Sequence, residues 1–286
     1  MEESSSDTRL SSELANAYKR STGIDMDPWN PKNFTEKIQW LKINDVTPLK
    51  TELADKYLVR DWIKRKIGDK YLVPLLGVWN NANNIDFDKL PDKFVLKANH
   101  GSGMNIVIKD KKSLTPEKIR SLKRVMNIWL RRNFGAPGLE VQYIDIPRKI
   151  IAEKYIEQSD GNLVDYKMHC FNGVPKFIQV IGNRNLRSHT GYQINKDFNW
   201  NSLDWIFEDY PRYQTSPPKP DCLQELYDIA KDLSQGFAYV RVDMYDVDGK
   251  IYFGEMTFTP ASGYYMEKGT WTDKVNLEIG KMITLP

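Results

Sequence analysis

Two acids near the C-terminus are the residues whose spacing suggests chemistry most directly. Ala238 to Asp246 and Ile251 to Met256 read as two strands joined around Asp248-Gly249. Alternation puts Val240, Val242 and Met244 on one face and Arg241 and Asp243 on the other; on the return strand Ile251, Phe253, Glu255 and Thr257 share a face. A three-residue turn over 248–250 sets Val247 opposite Ile251 and Asp243 opposite Glu255; a two-residue turn is expected to break that register. Like charges paired across strands repel unless something positive lies between them. Mg²⁺ is one candidate, since it takes carboxylate oxygens and completes its shell with phosphate and water. Solvation of one or both acids is the other reading.

Three further groups are candidates. Gly101-Ser102-Gly103, in the loop 99–105 between two short strands, gives backbone N–H groups close access to a phosphate, with Lys97 as a nearby point charge. A plain hairpin loop fits as well, and the loop is neither a Walker nor a Rossmann motif. Lys154 stands in the greasy strand Ile150–Ile156, where an ammonium marks an edge strand, snorkels or meets a nucleotide phosphate. Lys56, Arg60 and Lys64 recur every four residues and read alone as a solvated helical stripe. The stretch from Asn183 to Tyr213 mixes Arg184, Arg187 and Arg212 with Tyr192, Trp200, Trp205, Tyr210 and Tyr213, which suits sugar faces and carboxylates or a loop packing its own rings.

The elements that must position these groups interleave, so the class is α+β with largely antiparallel sheets. A helix from Ser11 or Ser12 to Gly23, one through Phe34, Ile38 and Leu41, and one opened by Thr51 and closed near Gly68 make the first ninety residues helical. Thr115-Pro116 starts another, with Ile119, Leu122, Val125 and Trp129 on one face. Leu163 to Phe171 and Val174 to Ile181 form a hairpin about Asn172-Gly173, and Asp221 to Gly236 forms a helix. The expected organisation is a helical lobe over 1–90, a small subdomain with the glycine loop over 91–157 and a large one with the acid pair over 158–286.

Composition bounds the function. The 286 residues carry 41 Lys+Arg against 38 Asp+Glu, a formal charge of +3, which gives no argument for nucleic acid or a membrane surface. No apolar run is long enough for a span and the start is acidic, so a cytoplasmic protein is expected. Cys170 and Cys222 lie far apart and read as buried small hydrophobes, and three scattered histidines leave oxygen ligands for any metal.

In order along the chain, these pieces resemble the TupA-like family of the ATP-grasp superfamily, associated with bacterial surface-polysaccharide biosynthesis. The blocks are Asp55-Lys56-Tyr57 with Arg60, Val73 to Trp79, Phe94 to Lys97 with His100 to Gly103, Ala152 to Ile156, Asp165 to Lys167, Cys170 to Gly173, Val240 to Asp243 and Gly254 to Pro260. The resemblance implies an ATP-grasp fold, two antiparallel-rich α+β subdomains clasping ATP, with a small helical N-terminal region. It implies an ATP-dependent ligase that phosphorylates a carboxylate and lets an amine attack the acyl phosphate. Lys56 and Lys97 resemble the lysines on ATP phosphates, with Gly101, Ser102 and Gly103 covering them. Glu153, Lys154, Tyr155 and Ile156 resemble the adenine hinge, Glu157 or Asp160 the ribose-binding acid, and Lys167 joins the nucleotide set. Arg241 resembles the arginine on the transferring phosphoryl, and Asp243 and Glu255 the Mg²⁺ ligands. Thr257 stands where the superfamily usually has Asn, which leaves one or two metal ions open. Thr259, Ser262 and Gly263 look like a substrate-side loop, with Arg184 and Arg187 also on the substrate side. The implied substrates are a uronic acid carboxylate, free or in a glycan, and an amine or amino acid. A glycosyltransferase and a non-catalytic polysaccharide-binding protein are the alternatives.

Overall fold

Capping side chains and turn residues set where the chain changes direction. The computed structural model describes residues 2–159, 161, 163–182, 192–203, 217–264 and 273–286. Arg184, Arg187 and Asp160, and most of the aromatic stretch 183–213, lie outside the described residues. In chain order the elements are α1 (Glu2–Thr22), α2 (Phe34–Asn44), α3 (Pro48–Ala54), α4 (Val59–Lys66), β1 (Leu75–Trp79), β2 (Phe94–Ala98), β3 (Asn105–Ile108), α5 (Pro116–Trp129), α6 (Gly135–Gly138) and β4 (Ile150–Lys154). There follow β5 (Val164–Phe171), β6 (Val174–Gly182), β7 (Tyr192–Lys196), β8 (Ser202–Leu203), α7 (Leu223–Ser234), β9 (Tyr239–Val247), β10 (Lys250–Thr257) and α8 (Asp273–Gly280).

Contacts divide the chain into two units, one of Met1–Val46 with Gln158–Pro286 and one of Thr47–Glu157. Helix α2 therefore groups with the C-terminal part of the chain, whereas the helical reading of 1–90 kept it with α3 and α4. Its apolar stripe explains why. Phe34, Ile38 and Leu41 pack into one core with Phe171, Phe177, Tyr239, Ile279 and Ile283, and Phe34 meets Tyr239 edge-on at 5.0 Å. Burying a ring such as Phe34 is worth about 1.5–3 kcal/mol.

The unit of 47–157 is built on a four-stranded antiparallel sheet in the order β1-β4-β2-β3. Thr51 does not open a helix: Thr47 caps α3, with Pro48 at its first position, and Thr51 lies inside it. The chain leaves α3 at Asp55, whose carboxylate accepts from the Tyr57 and Leu58 N–H groups before α4 begins. On α5 the buried position is Met126 rather than Val125, which is 37% exposed; Met126 packs with Ile119, Leu122 and Trp129 against β2 and β4.

The other unit holds a six-stranded antiparallel sheet, β10-β9-β5-β6-β7-β8. Cys170, buried, lies against the Ala230 carbonyl of α7, and its burial pushes the thiol up to about 12; Cys222 is only half-buried. Even-numbered residues of β5 and β9 thus face α7. Odd-numbered residues of the same strands, ending in Phe171 and Tyr239, face the α2 and α8 core. Among the described residues no helix is long and apolar enough to cross a membrane.

Candidate functional site

The β9–β10 hairpin brings the acids together by a different route from the one its sequence suggests. Val247 pairs with Lys250, so the turn has two residues, Asp248 and Gly249, with φ of +52° and +82°. Both angles are positive, as the turn type that matches strand twist requires. Continued unbroken, this register would set Glu255 opposite Val242. A β-bulge at Gly254 shifts it by one residue, and Asp243 pairs with Glu255 and Arg241 with Thr257. Gly254 is the residue that allows the close approach: an added Cβ would lie 2.9 Å from the Asp243 carbonyl oxygen. The bulge also changes the phase of β10. Phe253 stands opposite Met244, so Ile251 and Phe253 lie on the apolar face while Glu255 and Thr257 lie on the charged one, and the four do not share a face.

On that face the positive charge between the acids is supplied by side chains. Arg241 donates through Nε to Asp243 Oδ1 at 2.7 Å and through Nη2 to Oδ2 at 2.8 Å, and reaches Glu255 Oε1 at 3.6 Å and Thr257 Oγ1 at 3.3 Å. Lys167 of β5, opposite Asp243, donates to Asp243 Oδ2 and lies 3.0 Å from Asp165 Oδ2. Burial and the neighbouring Arg241 push the Lys167 ammonium down, but Asp165, Asp243 and Glu255 outweigh them and hold it above its ordinary value. Three carboxylates against two cations leave this cluster with one net negative charge. Lys167 thus sits in an ion-pair network with two acids, and sequence reasoning did not include Asp165 in the site. The signal was available: Asp165, Lys167 and His169 alternate onto one face of an otherwise apolar strand. His169 is fully buried, stacked on Phe177 at 4.3 Å with Nδ1 2.9 Å from the Tyr239 hydroxyl; burial, then Arg241 and Lys167, hold it well below its ordinary pKa.

The donor set suits a hard cation. Glu255, with 32% of its side chain exposed, and Thr257 offer carboxylate and hydroxyl oxygens beside Asp243. Both Asp243 oxygens carry cationic partners, and among the described residues no three His, Cys, Asp or Glu side chains converge as a metal cage. An Mg²⁺ ion here would need outside oxygens, such as those of a phosphate, to complete its shell. Beyond the strand, Thr259 and Gly263 are buried and Ser262 is half-exposed.

The unit of 47–157 holds the second constellation. Glu153 of β4, buried, takes Lys97 Nζ on Oε2 at 2.7 Å and Arg60 Nη1 on Oε1 at 3.0 Å, while Arg60 Nη2 donates to the Val73 carbonyl. Two cations on one carboxylate leave this group with a net positive charge. Arg60 is thereby not part of a solvated stripe. Lys56 donates its backbone N–H to the Asn99 carbonyl and its ammonium to the Gly101 carbonyl at 2.9 Å, tying the loop at two points. Gly101 is tightly enclosed, since a Cβ there would lie 2.5 Å from the Phe134 ring; Ser102 and Gly103 are exposed. Asn99 fixes the loop's base by accepting from Lys149 N–H and donating to the Pro147 carbonyl. Lys154 is exposed although β4 is an inner strand, and Lys93 and Lys109 lie over the Tyr155 ring. Ile156 is half-buried, and Glu157 pairs with Lys93 at 2.7 Å, whose hydrogen bond lowers the carboxyl's pKa.

A family model described as TupA-like ATPgrasp matches residues 36–283. Among solved structures, D-alanine–D-alanine ligase from Bacillus anthracis is 18% identical, with 80% of this chain and 69% of that chain covered and a TM-score of 0.43. The D-alanine–D-alanine ligase from Helicobacter pylori is 16% identical, covering 81% and 61%, with a TM-score of 0.39. Phosphoribosylglycinamide synthetase from Anaerococcus prevotii is 15% identical, covering 78% and 48%, with a TM-score of 0.38. The chain thus spans from about half to about two thirds of the length of these proteins. No curated protein matches it. The family match runs from the second helix to the last residues, and by it the chain belongs to the TupA-like ATP-grasp family and has its α+β fold.

Proposed function

We propose that this protein is an ATP-dependent carboxylate–amine ligase that joins an amino acid or other amine to a uronic acid carboxylate in surface-polysaccharide biosynthesis. The observation that carries the reading is the bulge at Gly254, which puts Asp243, Glu255, Thr257 and Arg241 on one face of the large sheet despite a turn that would separate them. A structural ion pair alone gives no reason for an acid as exposed as Glu255 beside a buried one.

In this reading Lys56, Lys97 and the N–H groups of Gly101, Ser102 and Gly103 hold the ATP phosphates, and Glu153 keeps the Lys97 ammonium in place. The segment Glu153, Lys154, Tyr155 and Ile156 holds the adenine, Glu157 or Asp160 the ribose, and Lys167 orders Asp243. Asp243, Glu255 and Thr257 would hold Mg²⁺, which when bound screens the phosphate charges. Arg241 stabilises the charge spread over the transferring phosphoryl group. A carboxylate oxygen attacks the γ-phosphorus and ADP leaves; the amine then attacks the acyl carbon, phosphate leaves with the C–O bond pair, and the amine gives up a proton. Thr259, Ser262, Gly263, Arg184 and Arg187 are assigned to the substrates. Dependence on ATP would place the reaction in the cytoplasm.

The test is release of ADP and phosphate from Mg·ATP by purified protein, with uronic acid compounds crossed against amino acids and amino sugars. The reading expects phosphate release that needs one member of each set, and an amide by mass spectrometry. Sugar transfer from a nucleotide sugar without ATP would establish the glycosyltransferase alternative instead, and glycan binding that is indifferent to Glu255→Gln would favour a binding protein.

A further inference from the structure

The loop that follows the acid strand adopts a conformation that its own residues do not favour. Ala261 and Ser262 both have left-handed backbone, with φ of +49° and +50°. Residues bearing Cβ seldom take that region, and two in succession persist only where their surroundings impose it.

The surroundings here come from α2, more than two hundred residues away in sequence. Gln39 donates through Nε2 to the carbonyls of Ser262, at 3.0 Å, and Gly263, at 3.1 Å. Lys42 donates to the Ser262 carbonyl at 2.5 Å and to Gln39 Oε1 at 2.8 Å, and its ammonium lies 4.6 Å from the centre of the Tyr264 ring. Gln39 is fully buried and Lys42 is 1% exposed. An ammonium is costly to bury, and a methionine would fill the same space; what lysine adds is directed donors. Tyr18 of α1 supports the same place, its ring 6.4 Å from that of Tyr264. Two carbonyls are thus fastened to α2, which leaves Ala261 exposed and Ser262 half-exposed.

We infer that Gln39 and Lys42 are positioning residues that impose the left-handed pair and so fix how the loop from Thr259 to Gly263 is presented after Glu255 and Thr257. The inference rests on the reading of that loop as substrate-side, but its test needs no substrate.

The experiment is hydrogen exchange with mass spectrometry on the full chain, read on peptides covering 257–264. The reporting amides are those of Ser262 and Tyr264, which donate to the carbonyls of Thr259 and Ala261 at 3.0 Å. Lys42→Met and the milder Gln39→Glu are each expected to speed exchange there at least tenfold. Peptides over 94–98 and 239–247 should exchange as in the wild type, and the Kd for ATP should be unchanged. Adding Ala261→Gly to Gln39→Glu should restore at least half of the lost protection, because glycine takes the left-handed region without help. Unchanged exchange in both single variants, acceleration spread over the whole unit, or no rescue by glycine would each overturn the inference. If Lys42→Met does not fold, Gln39→Glu alone decides. A wild-type protein that binds no ATP counts against the ligase reading and leaves the exchange result standing.

Discussion

The two units each carry a buried charge cluster, and the clusters have opposite sign. On the four-stranded sheet one carboxylate, Glu153, serves two cations, Lys97 and Arg60, with Lys56 nearby on the glycine loop. On the six-stranded sheet three carboxylates, Asp165, Asp243 and Glu255, surround Arg241 and Lys167. The difference lies in which charge is in excess, and so in what each can recruit. A surplus cation in a half-buried setting suits phosphate; a surplus carboxylate beside a hydroxyl suits a divalent metal. Their depth differs too, since Lys97 keeps 28% of its side chain exposed and Asp243 only 2%.

The strongest way to break the comparison is to remove its most buried acid. Asp243→Asn removes the carboxylate that Arg241 and Lys167 share, leaving them with Glu255 and Asp165, and we expect a loss of about 3–5 kcal/mol in stability together with loss of turnover; denaturant unfolding and phosphate release would check both. Glu255→Gln separates chemistry from stability. Because Glu255 is a third exposed, the fold should hold while turnover falls by about a hundredfold or more. On the other sheet, Lys97→Met leaves Glu153 paired with Arg60, so calorimetry should find ATP bound about 10- to 100-fold more weakly, as loss of one charged hydrogen bond implies. Equal effects of Lys97→Met and Glu255→Gln on ATP affinity without metal would erase the distinction.

Two smaller tests sharpen it. Gly254→Ala brings a methyl group against the Asp243 carbonyl and should cost about 1–3 kcal/mol, moving the thermal midpoint and weakening any metal dependence. Among the described residues each unit also buries one histidine. Burial holds His169 well below its ordinary pKa and His100 below it by less. Each is neutral in the folded state, while the unfolded chain takes up a proton once pH falls below about 6.5. Stability is therefore complete above that pH and declines on acidification, by at most about 1.4 kcal/mol per pH unit for each histidine. His169→Gln should flatten the decline more than His100→Gln in unfolding measured from pH 8 to pH 4.5.

Much of this was legible in the sequence, because strands and turns write their signals locally. The hairpins at Asn172-Gly173 and Asp248-Gly249 could be read from alternation and turn residues, whereas the pairing of Asp243 with Glu255 is expected from a three-residue turn and arises instead from a two-residue turn with a bulge. The bulge could not be read: a glycine in a strand marks a close approach without saying that register shifts there. Helix boundaries failed where neighbouring residues compete as caps: Thr47 accepts from the Lys50 N–H and Asp55 from the Tyr57 and Leu58 N–H groups, which places Thr51 inside a helix rather than at its start. The partners of charged residues were least legible. Nothing local says that Arg60 reaches Glu153, 93 residues away, or that Lys42 reaches Ser262, because burial of a long cationic side chain depends on which carbonyls and carboxylates the fold delivers to it.

The central claim is that the positive cluster meets phosphate and the negative one meets metal. Calorimetric titration of ATP into the wild type, Lys97→Met and Glu255→Gln, with and without Mg²⁺, tests it most directly. The account predicts that the wild type binds ATP more tightly with Mg²⁺, that Lys97→Met loses affinity under both conditions, and that Glu255→Gln loses only the Mg²⁺-dependent gain. ATP binding that ignores both substitutions and the metal, or no binding at all, would contradict it.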